Sequence, residues 1–430
     1  MNKSHSIRKN FTRRDKNSRT ILLCEMLEYH NVFLEAAFRA DGYSFEVLKN
    51  EVQDITRTLR YISNDYCYPT VLIIAQFMEY LESGERRPEE VAFMEPQAGG
   101  SCRAGNIYNL LQRVLYKKHC RGLEGYSDIP VISLNFSGEE KHSGFRITSR
   151  LLFGAISAVC YGDLIMCLYQ QTKPYEVNPG ETDLVRAEVE EILCRDIRAH
   201  KNGRKSRARA YRYAIERFRK IETRREKKRR VGITGEIYMK FSRLGNDDIE
   251  SFILKQGYEP YSGGFINYCI YLADTERYKA QRYGKGKTVR RVTEKKLYDT
   301  VLRYLCKVQK ELYACVAESR HFDTDLDFAR LKEKAADILD YGCNTGDGWL
   351  IAAEAAQYVE KGCESVLILH PFGCLVSHVC ERGILHELHR RCPNVSIQTI
   401  EYDYDQSKTL RESRILLALQ GDRPIPYDRS

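Results

Sequence analysis

The chain has 430 residues and a mass of 50.0 kDa, with 43% hydrophobic and 30% charged residues, enough for two or three domains. That composition excludes intrinsic disorder, a collagen-like repeat and a coiled-coil rod, and 15 cysteines, an odd number, fall short of a disulfide scaffold. The formal net charge of +9 comes from one place: 17 Lys/Arg against 4 Asp/Glu between Arg195 and Arg230 make that segment +13 and leave the remainder at −4.

Met1–Arg19 is a polar, basic leader without an apolar stretch, so no secretory signal is expected. Cysteine usage points to a reducing, cytoplasmic compartment, where unpaired thiols are core residues, metal ligands or reactive groups. Short apolar runs predict strands over Thr20–Leu23, Ser44–Leu48, Val91–Phe93 and Pro130–Leu134. Helical periods over Pro69–Leu81 and Ile107–Tyr116 separate them. Helices over Arg146–Leu168 and Asp183–Cys194 follow, then strands over Val231–Gly235, Ile338–Tyr341, Ser365–Leu369 and Val395–Ile400. The later helices fall at Asp248–Gln256, Glu294–Ser319, Trp349–Lys361 and Leu375–Arg391. The alternation predicts an α/β protein of two Rossmann-like lobes with mainly parallel sheets, joined by a helical connector. The boundaries are a leader over 1–19, a first lobe over 20–145, the connector over 146–230 and a second lobe over 231–430. Leu151–Tyr169 is apolar but interrupted by Asp163, which favours a buried helix over a membrane span.

In the connector, Tyr211, Ile215, Phe218 and Ile221 recur at helical spacing among Arg and Lys. Three readings stand: a solvated face, a docking face for an acidic partner, or a nucleic-acid surface. The last is not expected, because no aromatic platform or finger-type zinc spacing accompanies the charge.

Three cysteines share one setting. Cys67 precedes an apolar helix that Pro69 opens, Cys102 lies in a glycine-rich loop that feeds a helix, and Cys374 joins a strand to a helix. At such junctions unpaired amides and the helix dipole favour a thiolate. Loops beyond the carboxyl ends of parallel strands are also where ligands gather. Without a CxxC pair anywhere, spacing leaves buried structural cysteine as the default and iron–sulfur ligation as the alternative. Cys343 also sits between a predicted strand and a helix and is a possible fourth ligand, whereas Cys160, Cys167, Cys194, Cys306, Cys315 and Cys363 fall in apolar helical patterns.

At these residues the chain resembles the activase-related family of the 2-hydroxyacyl-CoA dehydratases, which also forms the C-terminal half of fused CoA-substrate-specific enzyme activases. The resemblance spans about Thr20 to Leu419. It is carried by Asn64-Asp65-Tyr66-Cys67-Tyr68-Pro69, Gly99-Gly100-Ser101-Cys102-Arg103-Ala104 and Val131-Ile132-Ser133-Leu134-Asn135-Phe136-Ser137-Gly138. Tyr161-Gly162-Asp163-Leu164, Gly232-Ile233-Thr234-Gly235-Glu236-Ile237-Tyr238, Gly346-Asp347-Gly348-Trp349-Leu350 and Pro371-Phe372-Gly373-Cys374-Leu375 continue it in order. The resemblance implies an iron–sulfur cluster, [4Fe-4S] or double-cubane, held by Cys67, Cys102 and Cys374 as metal ligands between the lobes. It further implies electrons from a separate ATP-hydrolysing activase, and an acyl-CoA or small-molecule substrate for reductive or radical dehydration chemistry in an anaerobic setting. A homodimer is compatible with it. The segment around Cys24, the Cys343 loop and the very basic connector depart from the pattern.

No GxxxxGK[ST] phosphate loop occurs. Lys285-Gly286-Lys287-Thr288 has Gln281 where the first glycine is required and reads as a basic turn. Glu236, after a strand, is a candidate base or a helix cap; His370 is a candidate hydrogen-bond donor to a cluster sulfide or a proton shuttle, or, like His378, a packing residue. Asp347 is expected to cap its helix. The alternative to the iron–sulfur function is a non-enzymatic scaffold of the same fold whose basic helix docks an acidic partner.

Overall fold

Runs of residues apolar on both faces pair best as parallel strands covered on both sides. In the computed structural model, which describes residues 9–63, 65–96, 102–134, 144–283 and 289–420, they build two four-stranded, all-parallel sheets. The first comprises β1 (Thr20–Leu23), β2 (Phe45–Val47), β3 (Val91–Pro96) and β4 (Val131–Leu134) in the order β2-β1-β3-β4. Its register sets Leu22 against both Glu46 and Phe93, and Phe93 against Val131. The second comprises β5 (Arg230–Gly235), β6 (Glu259–Tyr261), β7 (Cys363–Pro371) and β8 (Ser396–Tyr402) in the order β6-β5-β7-β8. Here Gly232 faces Val366 and Leu367 faces Gln398. In each sheet the order of the strands therefore reverses at one place, between β1 and β3 and between β5 and β7.

The helices Ser149–Thr172, Glu181–Arg198 and Arg204–Arg219 stand between the two strand series. Ser149–Thr172 is the one helix among the described residues long and apolar enough to cross a membrane, and most of it is buried. Its mid-run carboxylate has a structural task. Asp163 accepts from Phe265 N (2.6 Å) and Ile266 N (2.9 Å), capping the helix Phe265–Arg282, and pairs with His30 Nε2 at 2.8 Å. A single apolar core contains Leu22, Phe93 and Val131 of the first sheet and Val231, Leu367 and Ile400 of the second.

Two expectations are corrected and one strand is added. Ile338–Tyr341 is no strand: the amides of Ile338 and Leu339 both fold back on Ala335 O, and Asp340 closes a turn on Gly342 N and Cys343 N. Cys343 thus lies between two helices rather than after a strand. Leu375–Arg391 breaks into a π-helical turn at Ser377–Glu381, a 3-10 turn at Arg382–Ile384 and the helix Leu385–Arg391. Strand β6 was not anticipated, because Pro260 interrupts three residues; as the sheet's edge it tolerates a missing donor. The Lys285–Thr288 turn, Asn64, Gly99–Ser101 and Asn135–Gly138 lie outside the described residues.

Candidate functional site

The strand order puts four segments at the two reversal points: Cys24-Glu25 after β1, the Cys102 loop after β3, Glu236 after β5, and Phe372-Gly373-Cys374 after β7. Such points leave a crevice at the carboxyl edge of a parallel sheet. Hydrogen bonds draw the two edges together. Tyr68 N donates to Phe372 O at 3.0 Å, and Ser242 Oγ donates to Glu25 Oε2 at 2.6 Å. Gly373 makes the first contact possible, since at φ +73° a Cβ there would stand 3.2 Å from Cys67 Cα.

Each predicted thiol starts a helical segment. Cys67 is the N-cap of Tyr68–Ser83, its Sγ 3.1 Å from Thr70 Oγ1. Cys102 caps the 3-10 turn Arg103–Asn106, and Arg103 reaches back to Asp65 O, joining the Cys102 and Cys67 loops. Cys374 Sγ takes the Ser377 amide at 3.5 Å. All three thiols have Glu236 as a charged neighbour, and Cys102 also feels Cys67 and Asp347. Burial raises every one of them, Cys102 to about 12. The bare thiols are therefore protonated at neutral pH, against the tendency of their helix-start positions. Among the described residues, no three His, Cys, Asp or Glu side chains form a group able to hold a single metal ion.

Acids crowd the same place. Glu236 caps Ile237–Phe241 by accepting from Met239 N at 3.0 Å, and burial, with a smaller push from Glu381, raises it to about 7. Asp347 stands at the N-cap of its helix, as expected, but makes no side-chain cap bond there; its Oδ2 accepts from Ile237 N at 3.2 Å, and Oδ1 is buried without a hydrogen-bond partner. Burial and then the Glu236 charge push Asp347 well above the usual carboxylate range. Glu381, fully buried and bonded to Ser377 Oγ at 2.8 Å, rises to about 8 through burial.

His370, at the end of β7, is fully buried with Nδ1 3.3 Å from Glu381 Oε2 and Nε2 3.2 Å from Glu401 Oε2. Neither contact is aligned as a hydrogen bond, and burial, then the nearby Arg382 charge, holds the ring down to about 4. It is a neutral imidazole between two carboxyls. Beside the acids, Lys240 pairs with Glu354 at 2.8 Å, both buried, and Thr234 Oγ1 donates to Glu354 Oε2 at 2.6 Å. Lys240, Glu354, Asp347 and Tyr268 line a small pocket. The sequence marks Asp347 only by its Gly-Asp-Gly turn, because its partner Ile237 N comes from a distant segment, and no motif marks Glu381, whose partner is the neighbouring Ser377.

The chain matched no family model, no curated protein and no solved structure.

Proposed function

We propose that this protein is an iron–sulfur electron acceptor of the reductase or dehydratase-component type, with Cys67, Cys102 and Cys374 as cluster ligands. The observation that carries the reading is that direct contacts join the three thiol loops: Tyr68 N donates to Phe372 O, beside Cys67 and Cys374, and Arg103 reaches Asp65 O, beside Cys102 and Cys67. The donor set fits such a group in kind, because soft thiolates are its usual ligands and a bound metal deprotonates thiols that burial alone keeps protonated. A polynuclear cluster also asks for more widely separated sulfurs than one ion does. When bound, the cluster would supply one-electron transfer.

The chain's own residues supply the rest. The Ser377 amide stabilises negative charge on Cys374 Sγ. Glu236, poised near pH 7, holds or releases a proton beside the three thiols without introducing a fixed charge. The electrons come from a separate ATP-hydrolysing activase, and the substrate is an acyl-CoA or a smaller molecule, in the cytoplasm. Purified without oxygen, the protein is expected to be brown, with roughly four or more irons and matching sulfide per chain. Cys102→Ser and Cys374→Ser lose the colour while keeping the wild-type circular-dichroism spectrum. A colourless, folded anaerobic preparation overturns the proposal.

The second reading, a non-enzymatic scaffold that docks an acidic partner, draws on exposed Arg224, Arg225 and Lys227, which follow the basic helix. It requires binding that weakens steeply with salt and is indifferent to the three cysteine substitutions.

A further inference from the structure

Two thiols beside the candidate site are not used by it. Cys380 lies in the π-helical turn Ser377–Glu381 and is 5% exposed; Cys343 is half-buried in the loop before the helix Gly348–Glu360. Cys374, Val376 and Cys380 form a small apolar cluster, and Cys343 and Leu339 pack against it. The approach of the two segments is built into the backbone. Gly346 holds φ +57°, and a Cβ there would come within 3.0 Å of Val376 Cγ2. Gly348 holds φ +37°, where a Cβ would lie 2.1 Å from Cys343 O. Cys343 is itself pinned on both sides, its amide on Asp340 O and its carbonyl receiving Trp349 N, each at 2.9 Å. Cys343 and Cys380 meet in this packing cluster, whereas Cys374 Sγ is engaged by the Ser377 amide.

We infer that Cys343 and Cys380 are a redox-active dithiol pair, closed to a disulfide by exchange with a small-molecule disulfide. Cys343, the more exposed, attacks one sulfur of the small disulfide, forming a mixed disulfide and expelling one thiolate. Cys380 then attacks Cys343 Sγ, which forms the internal S–S bond and expels the second thiolate. The two protons lost by Cys343 and Cys380 end on the two small thiols formed, and the two electrons leave with them. The small disulfide is reduced and the protein pair oxidised; a dithiol reductant reverses the step. The cross-link would clamp the Cys343 loop to the turn that carries Ser377 and Glu381. Oxidation is thereby transmitted to the amide that contacts Cys374.

The test uses the full-length protein, reduced, treated with oxidised glutathione, alkylated and digested without reductant for mass spectrometry. The expected product joins the Cys343 and Cys380 peptides, is two hydrogens lighter than the reduced pair, and disappears with dithiothreitol. In Cys380→Ser, Cys343 stops at the glutathione adduct; in Cys343→Ser, Cys380 remains free. A wild-type Cys343 that keeps its glutathione, or a Cys380 joined to Cys374 instead, overturns the inference. Because the readout is a covalent mass between two thiols that are not proposed cluster ligands, its failure is separate from failure of the cluster proposal, which is read by colour and iron content.

Discussion

At the scale of single residues, burial of carboxyls without a cation sets the protonation chemistry of this protein. Glu95, at the end of β3, is 2% exposed with its Oε2 3.8 Å from Cys24 Sγ, and burial pushes it up to about 8. Glu25 rises to about 7 for the same reason, although Ser242 Oγ and Leu244 N both donate to it. An acid raised in the folded state keeps its proton where the unfolded chain has lost it. Between about pH 4.3 and 8 the folded form therefore binds more protons at Glu95, and stability falls as pH rises, by about 1.4 kcal/mol per pH unit for that carboxyl. Above pH 8 the slope vanishes. Glu95→Gln is accordingly expected to lose less stability than wild type between pH 5 and 8, measured by urea midpoints; parallel curves would refute the assignment. The thiols of the site were legible in the sequence, because a cysteine at a loop-to-helix junction is a local pattern. The acids were not, because the burial that raises Glu381, Asp347 and Glu236 is a product of the folded chain and leaves no local pattern in the sequence.

At the scale of elements, what joins one helix or loop to the next is a small set of irreplaceable contacts. Asp163 caps Phe265–Arg282 from the middle of another helix, and adjacent Gly162 admits the His30 ring, to which a Cβ would come within 2.1 Å. Asp163→Ala leaves two buried amides and His30 without their acceptor, and a loss of about 3 kcal/mol or more is expected in denaturant unfolding. Asp163→Asn retains one carbonyl oxygen and should lose less. Gly373→Ala must place a side chain at φ +73° against Cys67 Cα, costing about 1–2 kcal/mol before any clash is relieved. Thermal unfolding of that variant measures how firmly the Cys67 and Cys374 loops are fastened. The fold was legible where strands are apolar on both faces, as in β1, β5 and β7. It failed where a short apolar run meets a turn-forming residue: Asp340 inside Ile338–Tyr341 turns the chain, and Gly383 stands in the 3-10 turn that interrupts Leu375–Arg391. Pro260 in β6 misled in the opposite sense, since a proline reads as a strand breaker everywhere except an edge.

At the scale of the whole molecule, the basic connector is largely answered from within. On the helix Arg204–Arg219, Arg204 and Arg207 both pair with Glu311, Arg209 with Asp196, Arg212 with Glu318, Arg217 with Glu188 and Arg219 with Glu216. Arg229 and Arg230 reach Glu364 and Glu259 on the second sheet's side. The same charges that make the segment +13 therefore act as fasteners between helices, and Arg207, 3% exposed, is the most enclosed of those on the helix. Removing it leaves Glu311 with Arg204 alone and Asn202 O without its buried donor, so Arg207→Ala is expected to cost about 1–3 kcal/mol. Arg224, Arg225 and Lys227 are fully exposed beyond the helix, and replacing all three by alanine should leave the melting temperature within about 1–2 °C of wild type. This contrast also separates packing from recognition. An acidic partner that docks on the connector must use the exposed segment, because approaching the helix means competing with pairs already made. The triple alanine variant should then lose salt-sensitive binding with its stability intact, whereas Arg212→Ala should keep binding. Binding that survives the triple substitution but fails with Arg212→Ala would move the docking face onto the helix itself.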